Sequence, residues 1–364
     1  MNALRLARRM QEIAPFHVME VLARASELER AGRSIVHMEI GQPDFPAPRP
    51  VLEAALCAMQ EQALGYTPAL GIPELREAIA AHYESHFGLR VPAARIAVTT
   101  GSSAALLLAL AALTEPGDEV LMPDPCYPCS RHLVRLAGAT PVALASDARE
   151  RFQLSAAAVE SAWNDATRGV LLASPSNPAG TTVLPDELRR ICLASERRGG
   201  FAIIDEIYGG LVYEDAPACA LSHSPDAIVV GGFSKYFCMT GWRLGWLVVP
   251  EDLVREIEKL AQNAYVSPPT AAQYAALAAF HPDSLAELEE RRAQFRMRRD
   301  FLYEALRSLG FGIPYPPQGA FYLYADCSRF GPKASDLATR MLEDAGVAVA
   351  PGRDFGEHRS ESHL

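Results

Sequence analysis

Lys235 lies in the run Phe233-Ser234-Lys235-Tyr236-Phe237-Cys238-Met239-Thr240-Gly241-Trp242-Arg243-Leu244-Gly245-Trp246, a single amine among aromatic side chains with a guanidinium shortly after it. A partly dry setting and a nearby cation both lower an amine's pKa, and the neutral amine forms a Schiff base with a carbonyl. Upstream, Asp205 closes the apolar run Phe201-Ala202-Ile203-Ile204, and Tyr208 follows three positions later, so a carboxylate and a phenol leave the run together. Asn177 sits in Ser174-Pro175-Ser176-Asn177-Pro178-Ala179-Gly180, a loop whose path two prolines and a glycine fix. Gly101-Ser102-Ser103 follows Ile96-Ala97-Val98-Thr99-Thr100 in the form strand, glycine turn, helix, and a helix start is a ready anion site. Taken singly, each has a plainer reading: a capping Asp beside a core Tyr, an ordinary Asn-Pro turn, an N-cap Ser.

The elements that must position these groups are legible in the apolar runs. Ala227-Ile228-Val229-Val230-Gly231-Gly232 is short, β-branched and closed by glycines, which suits a buried parallel strand. The segments beginning at Phe201, Leu171 and Ile96 have the same character. Lys235, Asp205, Asn177 and Gly101 therefore all follow strand ends, where open α/β sheets bind ligands. Strand-like and helix-like segments alternate from about residue 48 to 280, as βαβ units do. A charged segment from about Asp283 to Leu309 is predicted to be a helix leading into the last part of the chain.

The Lys235 segment resembles the Ser-Lys-x-x-x-x-x-Gly-x-Arg-x-Gly signature of pyridoxal-phosphate-dependent class I/II aminotransferases, in the aspartate aminotransferase superfamily. Asp205-x-x-Tyr208 and Asn177-Pro178-x-Gly180 match family elements in the same chain order, as do Gly41-Gln42-Pro43-Asp44-Phe45 and Tyr66-x-x-x-x-Gly71-x-x-x-Leu75-Arg76. The resemblance implies pyridoxal 5′-phosphate as cofactor. Lys235 is then the catalytic residue, forming the Schiff base and shuttling the proton. Ser234, Arg243, Gly101, Ser102 and Ser103 are expected at the cofactor phosphate. Asp205 is expected to keep the ring nitrogen protonated, Tyr208 and Asn177 to meet the ring oxygen, and Tyr127 of Cys126-Tyr127-Pro128-Cys129 to stack on the ring. Gly41 and Asn177 are expected at the substrate. Tyr66 is expected to cross to the phosphate of a partner subunit, which implies a homodimer with shared active sites.

The implied fold is α/β. A large domain carries a mostly parallel seven-stranded sheet flanked by helices at 48–290, and a smaller α+β domain is drawn from both chain ends, 1–47 and an incomplete 291–364. At 364 residues, 49% hydrophobic and 21% charged, the chain is long enough for two unequal domains. The net charge of −10 argues against nucleic-acid and anionic-membrane partners. The longest apolar run, Ala104 to Leu113, is too short for a membrane span and fits a buried helix behind the Gly101 turn. Seven cysteines without a disulfide pattern suit a reducing, cytoplasmic setting. The Cys126-x-x-Cys129 pair lacks the second pair a structural zinc requires, so no metal is expected. Arg5, Arg8 and Arg9 are followed by acidic residues and no long apolar stretch, and an amphipathic helix is expected there rather than a targeting segment.

Val347-Ala348-Val349-Ala350-Pro351-Gly352-Arg353-Asp354-Phe355-Gly356 matches the family's late strand and turn. The arginine that pairs with the substrate carboxylate in relatives is expected just beyond Leu364, with Arg359 the only nearby guanidinium, so the chain reads as truncated. Cofactor binding is then expected to survive better than turnover, since a lost charged contact of this kind costs about 2–5 kcal/mol. The expected activity is transfer of an amino group between an L-amino acid and a 2-oxo acid by a ping-pong mechanism. Gln262, ahead of Asn263-Ala264-Tyr265-Val266-Ser267-Pro268-Pro269, leans toward neutral or aromatic substrates, because dicarboxylate-specific relatives can carry an Arg there. A carbon–sulfur β-lyase and a non-catalytic sensing domain are the alternatives.

Overall fold

The computed structural model describes residues 4–214 and 218–364. Nine strands form: β1 (Val36–His37), β2 (Ile96–Thr99), β3 (Glu119–Asp124), β4 (Thr140–Ala145), β5 (Thr167–Ala173), β6 (Phe201–Asp205), β7 (Ile228–Gly232), β8 (Gly245–Val248) and β9 (Val347–Ala348). Seven make one sheet in the order β2-β8-β7-β6-β5-β3-β4, and only β8 runs against its neighbours.

Consecutive residues of the central strands enter opposite cores. Leu172, Ile204 and Val229 join the cluster containing Leu75, Ile79 and Ile191, while Leu171, Ile203 and Val230 join the one containing Leu106, Leu110 and Ile257. This is the period-2 pleat with both faces covered, and it explains why the strands read as unbroken apolar runs. Each fully buried Leu or Ile contributes about 1.5–3 kcal/mol relative to exposure. The apolar run at Ala104 is the body of the helix Ser102–Leu113, packed against β7 and β8 as expected.

Residues near the two chain ends meet in a separate parallel pair, β1 with β9, in which Val36 faces Val347 and His37 faces Ala348. The helix His17–Arg30 contributes Ala25 and Leu28 to a small cluster with Leu342 and Ala348. It has no cap of its own. Asp354 supplies one, its two carboxylate oxygens accepting the backbone N–H of His17 at 3.0 Å and of Val18 at 2.8 Å. The charged segment is the helix Pro282–Leu309.

The expected helix around Arg5, Arg8 and Arg9 does not form. Arg8–Gln11 makes a short 3₁₀ turn without buried residues, and Leu4 and Leu6 are exposed. With no apolar side chain buried, no tertiary packing supports a longer helix here. Among the described residues no helix is long and apolar enough to cross a membrane.

Candidate active site

β7 ends at Gly232 and leads directly to Ser234 and Lys235. Because β8 is antiparallel, its first residue, Gly245, pairs with Gly232 on one side and Thr99 on the other. Arg243 is therefore delivered to the same sheet edge as Lys235 and the Gly101 turn. At the next two strands Ala173 and Asp205 are register partners, and Asn177 follows in the loop after β5. Ser102, Ser103, Tyr127, Asn177, Asp205, Tyr208, Ser234, Lys235, Arg243 and Gly41 all line one cleft, enclosing about 1050 Å³ of partly open space.

At one end the helix Ser102–Leu113 presents its N-terminus, where first-turn N–H groups have no acceptor within the helix. It seats against the sheet because glycines leave room. A Cβ at Gly245 would lie 2.6 Å from the Ser102 nitrogen, and one at Gly101 2.7 Å from Nη2 of Arg243. The Ser102 hydroxyl donates to the Gly231 carbonyl at 2.8 Å, so what Ser102 can offer an anion is its backbone N–H, while the Ser103 side chain is exposed. Arg243 is held by donation to the Thr240 carbonyl at 3.0 Å, and the Thr240 hydroxyl donates to the Ser234 carbonyl at 2.9 Å. The result is a pocket of converging N–H donors and one guanidinium, the donor set of a phosphate site.

Lys235 lies deeper. Its Nζ donates to the Gly41 carbonyl at 2.6 Å, with the Tyr208 and Phe321 rings about 6 Å away. Burial first, then Arg243, lowers its pKa to about 8, and Asp205 partly opposes this. Burial raises Asp205 to about 6, against the Ile207 N–H it accepts at 3.1 Å and the charge of Lys235. Tyr208 shares a 2.6 Å hydrogen bond with the hydroxyl of Tyr322, and burial raises both phenols. Asn177 is buried, and its Oδ1 has no hydrogen-bond partner. Orphaned polar atoms in a native site call for an occupant. An anion cradle, a nucleophilic amine, a buried carboxylate and aromatic walls together fit a phosphorylated, cationic aromatic ring bearing an aldehyde.

Two residues named in the sequence lie outside this cleft, Tyr66, which is expected to serve a partner's cleft rather than its own, and Arg359. Tyr66 is 86% exposed and does not line the cleft. Arg359 pairs with Asp326 at 3.2 Å and lines a separate cavity with Tyr324 and His363. Among the described residues lining the Lys235 cleft, Arg243 is the one guanidinium. Sequence reasoning missed Tyr322, which lies in the run Gly319-Ala320-Phe321-Tyr322-Leu323, and it missed Phe16, Val18 and Met19 on the cleft wall.

Residues 33–364 match the family model for aminotransferase class I and II. The chain belongs to this family. As an aminotransferase it takes amino-acid and 2-oxo-acid substrates and moves an amino group between them. It is 43% identical over 357 residues to the valine–pyruvate aminotransferase of Mycobacterium tuberculosis, spanning 97% of this chain and 91% of that one. It is 36% identical to an aspartate aminotransferase of Streptomyces avermitilis, spanning 97% and 90%. Among solved structures, an aminotransferase from Mycobacterium tuberculosis superposes with a TM-score of 0.96 at 42% identity, covering 99% of this chain and 93% of that one. The aspartate aminotransferase from Thermus thermophilus with maleate gives 0.92 at 35% identity, covering 97% and 93%. These relatives carry aminotransferase names, so neither the β-lyase nor the sensing-domain alternative is favoured.

Proposed function

We propose that this aminotransferase binds pyridoxal 5′-phosphate in the Lys235 cleft and uses Lys235 as both nucleophile and proton carrier. The observation that carries this reading is the placement of one half-buried amine of lowered pKa between a buried carboxylate and an anion cradle. When bound, the cofactor supplies an aldehyde carbon and an electron-accepting ring.

The helix start at Ser102 and Ser103, with Gly101, Ser234 and Arg243, would hold the phosphate. Asp205 would hold a proton at the ring nitrogen by charge pairing, which its burial strengthens. Asn177, through its unpartnered amide, and Tyr208, braced by Tyr322, would flank the ring oxygen, and Tyr127 would cover one ring face. Lys235 Nζ, neutral in part near pH 8, would hold the cofactor at its aldehyde carbon; once released by a substrate amine, it would be the base that takes the proton from the substrate α-carbon and the acid that gives it back. Gly41, whose carbonyl accepts from Lys235, sets the depth of the amine. The walls from Phe16, Val18, Ile40 and Phe355 limit water around that transfer.

We further read residues 1–47 and 291–364 as one smaller unit beside a cofactor-binding unit of 48–290, supported by the β1–β9 pair. We read the working form as a homodimer in which Tyr66 of each chain reaches its partner's phosphate site, supported by that residue's exposure. A cytoplasmic setting is supported by seven cysteines, all unpaired.

Borohydride treatment of the cofactor-loaded protein, followed by peptide mass analysis, tests the central claim. The cofactor mass is expected on the Lys235 peptide and absent from Lys235→Ala, whose turnover should fall at least about 10⁴-fold on loss of the nucleophile. A label on another lysine, or turnover surviving the substitution, would falsify it.

A further inference from the structure

The loop that carries Asn177 is closed on itself and then held from outside. The Ser176 N–H donates to the Thr181 carbonyl and the Gly180 N–H to the Ser176 carbonyl, both at 2.9 Å. These bonds set the shape of the turn, and its place over the cleft is set by two residues that do not line the cleft, Arg151 and Gln318. Oε1 of Gln318 accepts the Thr182 N–H at 3.1 Å and the Thr182 hydroxyl at 3.3 Å, and it also accepts from Nη2 of Arg151. The Arg151 carbonyl accepts the Thr181 hydroxyl at 2.7 Å, and the Gly319 N–H donates to the Gly180 carbonyl at 2.9 Å.

The junction has no slack. A Cβ at Gly180 would lie 2.7 Å from both the Gly319 carbonyl oxygen and Pro317, and one at Gly319 would lie 2.5 Å from Pro175. Arg151 and Phe152 both hold left-handed backbone, at φ of 60° and 55°, which residues with a Cβ adopt rarely. Such conformations persist where the surroundings impose them, and they gather around functional sites. The same turn also reaches the second group expected at the ring oxygen. The Gln318 carbonyl accepts the Tyr213 N–H at 2.9 Å, the Ala320 N–H donates to the Leu211 carbonyl at 2.9 Å, and the Ala320 carbonyl accepts the Tyr213 hydroxyl. Two residues further on, the Tyr322 hydroxyl meets that of Tyr208. Residues 317–320 are thus wedged between the loop of Asn177 and the segment of Tyr208.

We propose that Gln318, braced by Arg151, is a positioning residue that sets Asn177 and Tyr208 as one unit against the ring oxygen of the cofactor. This rests on the cofactor reading of the cleft and adds what holds the two ring-oxygen donors in place. A donor to an oxygen that becomes anionic favours the deprotonated form, so two well-placed donors lower the pH at which the bound ring system gives up its proton. Loosening them raises it.

The test is a pH titration of the visible absorbance band of the cofactor-loaded protein. Gln318→Ala should move the midpoint upward by about one unit, a tenfold change in proton affinity, the size expected when a hydrogen bond to a charged group is weakened. Gln318→Glu keeps an acceptor for Arg151 and Thr182 and should return the midpoint to within about 0.3 unit of the wild type. Arg151→Met removes the guanidinium, leaves the carbonyl for Thr181, and should shift the midpoint about half a unit in the same direction. It decides the matter where Gln318→Ala does not fold. A residue that only stabilised the fold would lower the melting temperature and leave the midpoint alone, so a folded Gln318→Ala or Arg151→Met protein with an unmoved midpoint overturns the inference. A wild type that takes up no cofactor on Lys235 and shows no titrating band would instead overturn the cofactor reading, and the inference with it.

Discussion

Asp205 shows how the site trades stability for chemistry. Its pKa in the fold, about 6, lies above its ordinary value of 3.8, so folding favours the protonated acid. Its stabilising contribution is therefore full below about pH 4 and lost as pH rises through about 6. At pH 7 the buried carboxylate costs on the order of 3 kcal/mol. Asp205→Asn should accordingly raise the denaturation midpoint of the cofactor-free protein at pH 7, with the gain vanishing near pH 4, while lowering turnover at least about 100-fold. Unfolding curves at the two pH values check the sign. Lys235 gives a second pH signature. Its amine is held near 8 rather than 10.5, so the rate at which the cofactor-free chain captures an aldehyde should climb with pH and level off above about 8. A rate still climbing steeply at pH 10 would mean that the amine is solvated.

At the scale of elements, the cap from Asp354 joins the 3₁₀ turn Gly352–Asp354 to the first long helix. Asp354→Ala should cost about 1 kcal/mol, the usual value of an N-cap. It should raise KM more than it lowers kcat, because Phe16, Val18 and Met19 at that helix start line the cleft, whereas Lys235 is held by Gly41. Melting curves and steady-state kinetics separate the two effects. Gly245→Ala should be worse, by about 1–3 kcal/mol, since the new methyl meets backbone atoms of Gly101 and Ser102 that cannot rotate away. The strands were legible because a β-branched run ending in glycine has few other uses, and β7 begins one residue inside the expected segment. Lys235, Asp205, Asn177 and Arg243 were legible as soon as their strands were. The Asp354 cap was not, because its partners are 336 residues apart and no local pattern records such a pair. The N-terminal arginines suggested a helix by composition, but its apolar side chains found nothing to pack on and only a 3₁₀ turn forms.

For the whole molecule, the exposed apolar side chains concentrate in part on the helix Arg49–Glu61, where Leu52, Leu56 and Met59 are open to solvent, and on Tyr66 shortly beyond it. A patch of this kind marks an association surface. On the homodimer reading proposed above, Leu56→Asp should shift the protein toward monomer in sedimentation velocity and reduce activity in the same samples, because each cleft would then lack a partner's Tyr66. A variant that sediments as the wild type and retains full activity would place the association surface elsewhere.

The reversed direction of β8 has a practical side. Lys235 and Arg243 come from one hairpin, so the proposed nucleophile and anion clamp are a single short covalent insert, whereas Asp205 and Asn177 each arrive on separate strands. An engineer transplanting this chemistry into another parallel sheet could carry over β7, its loop and β8 as one cassette, and would then have only a carboxylate and an amide to add at neighbouring strand ends.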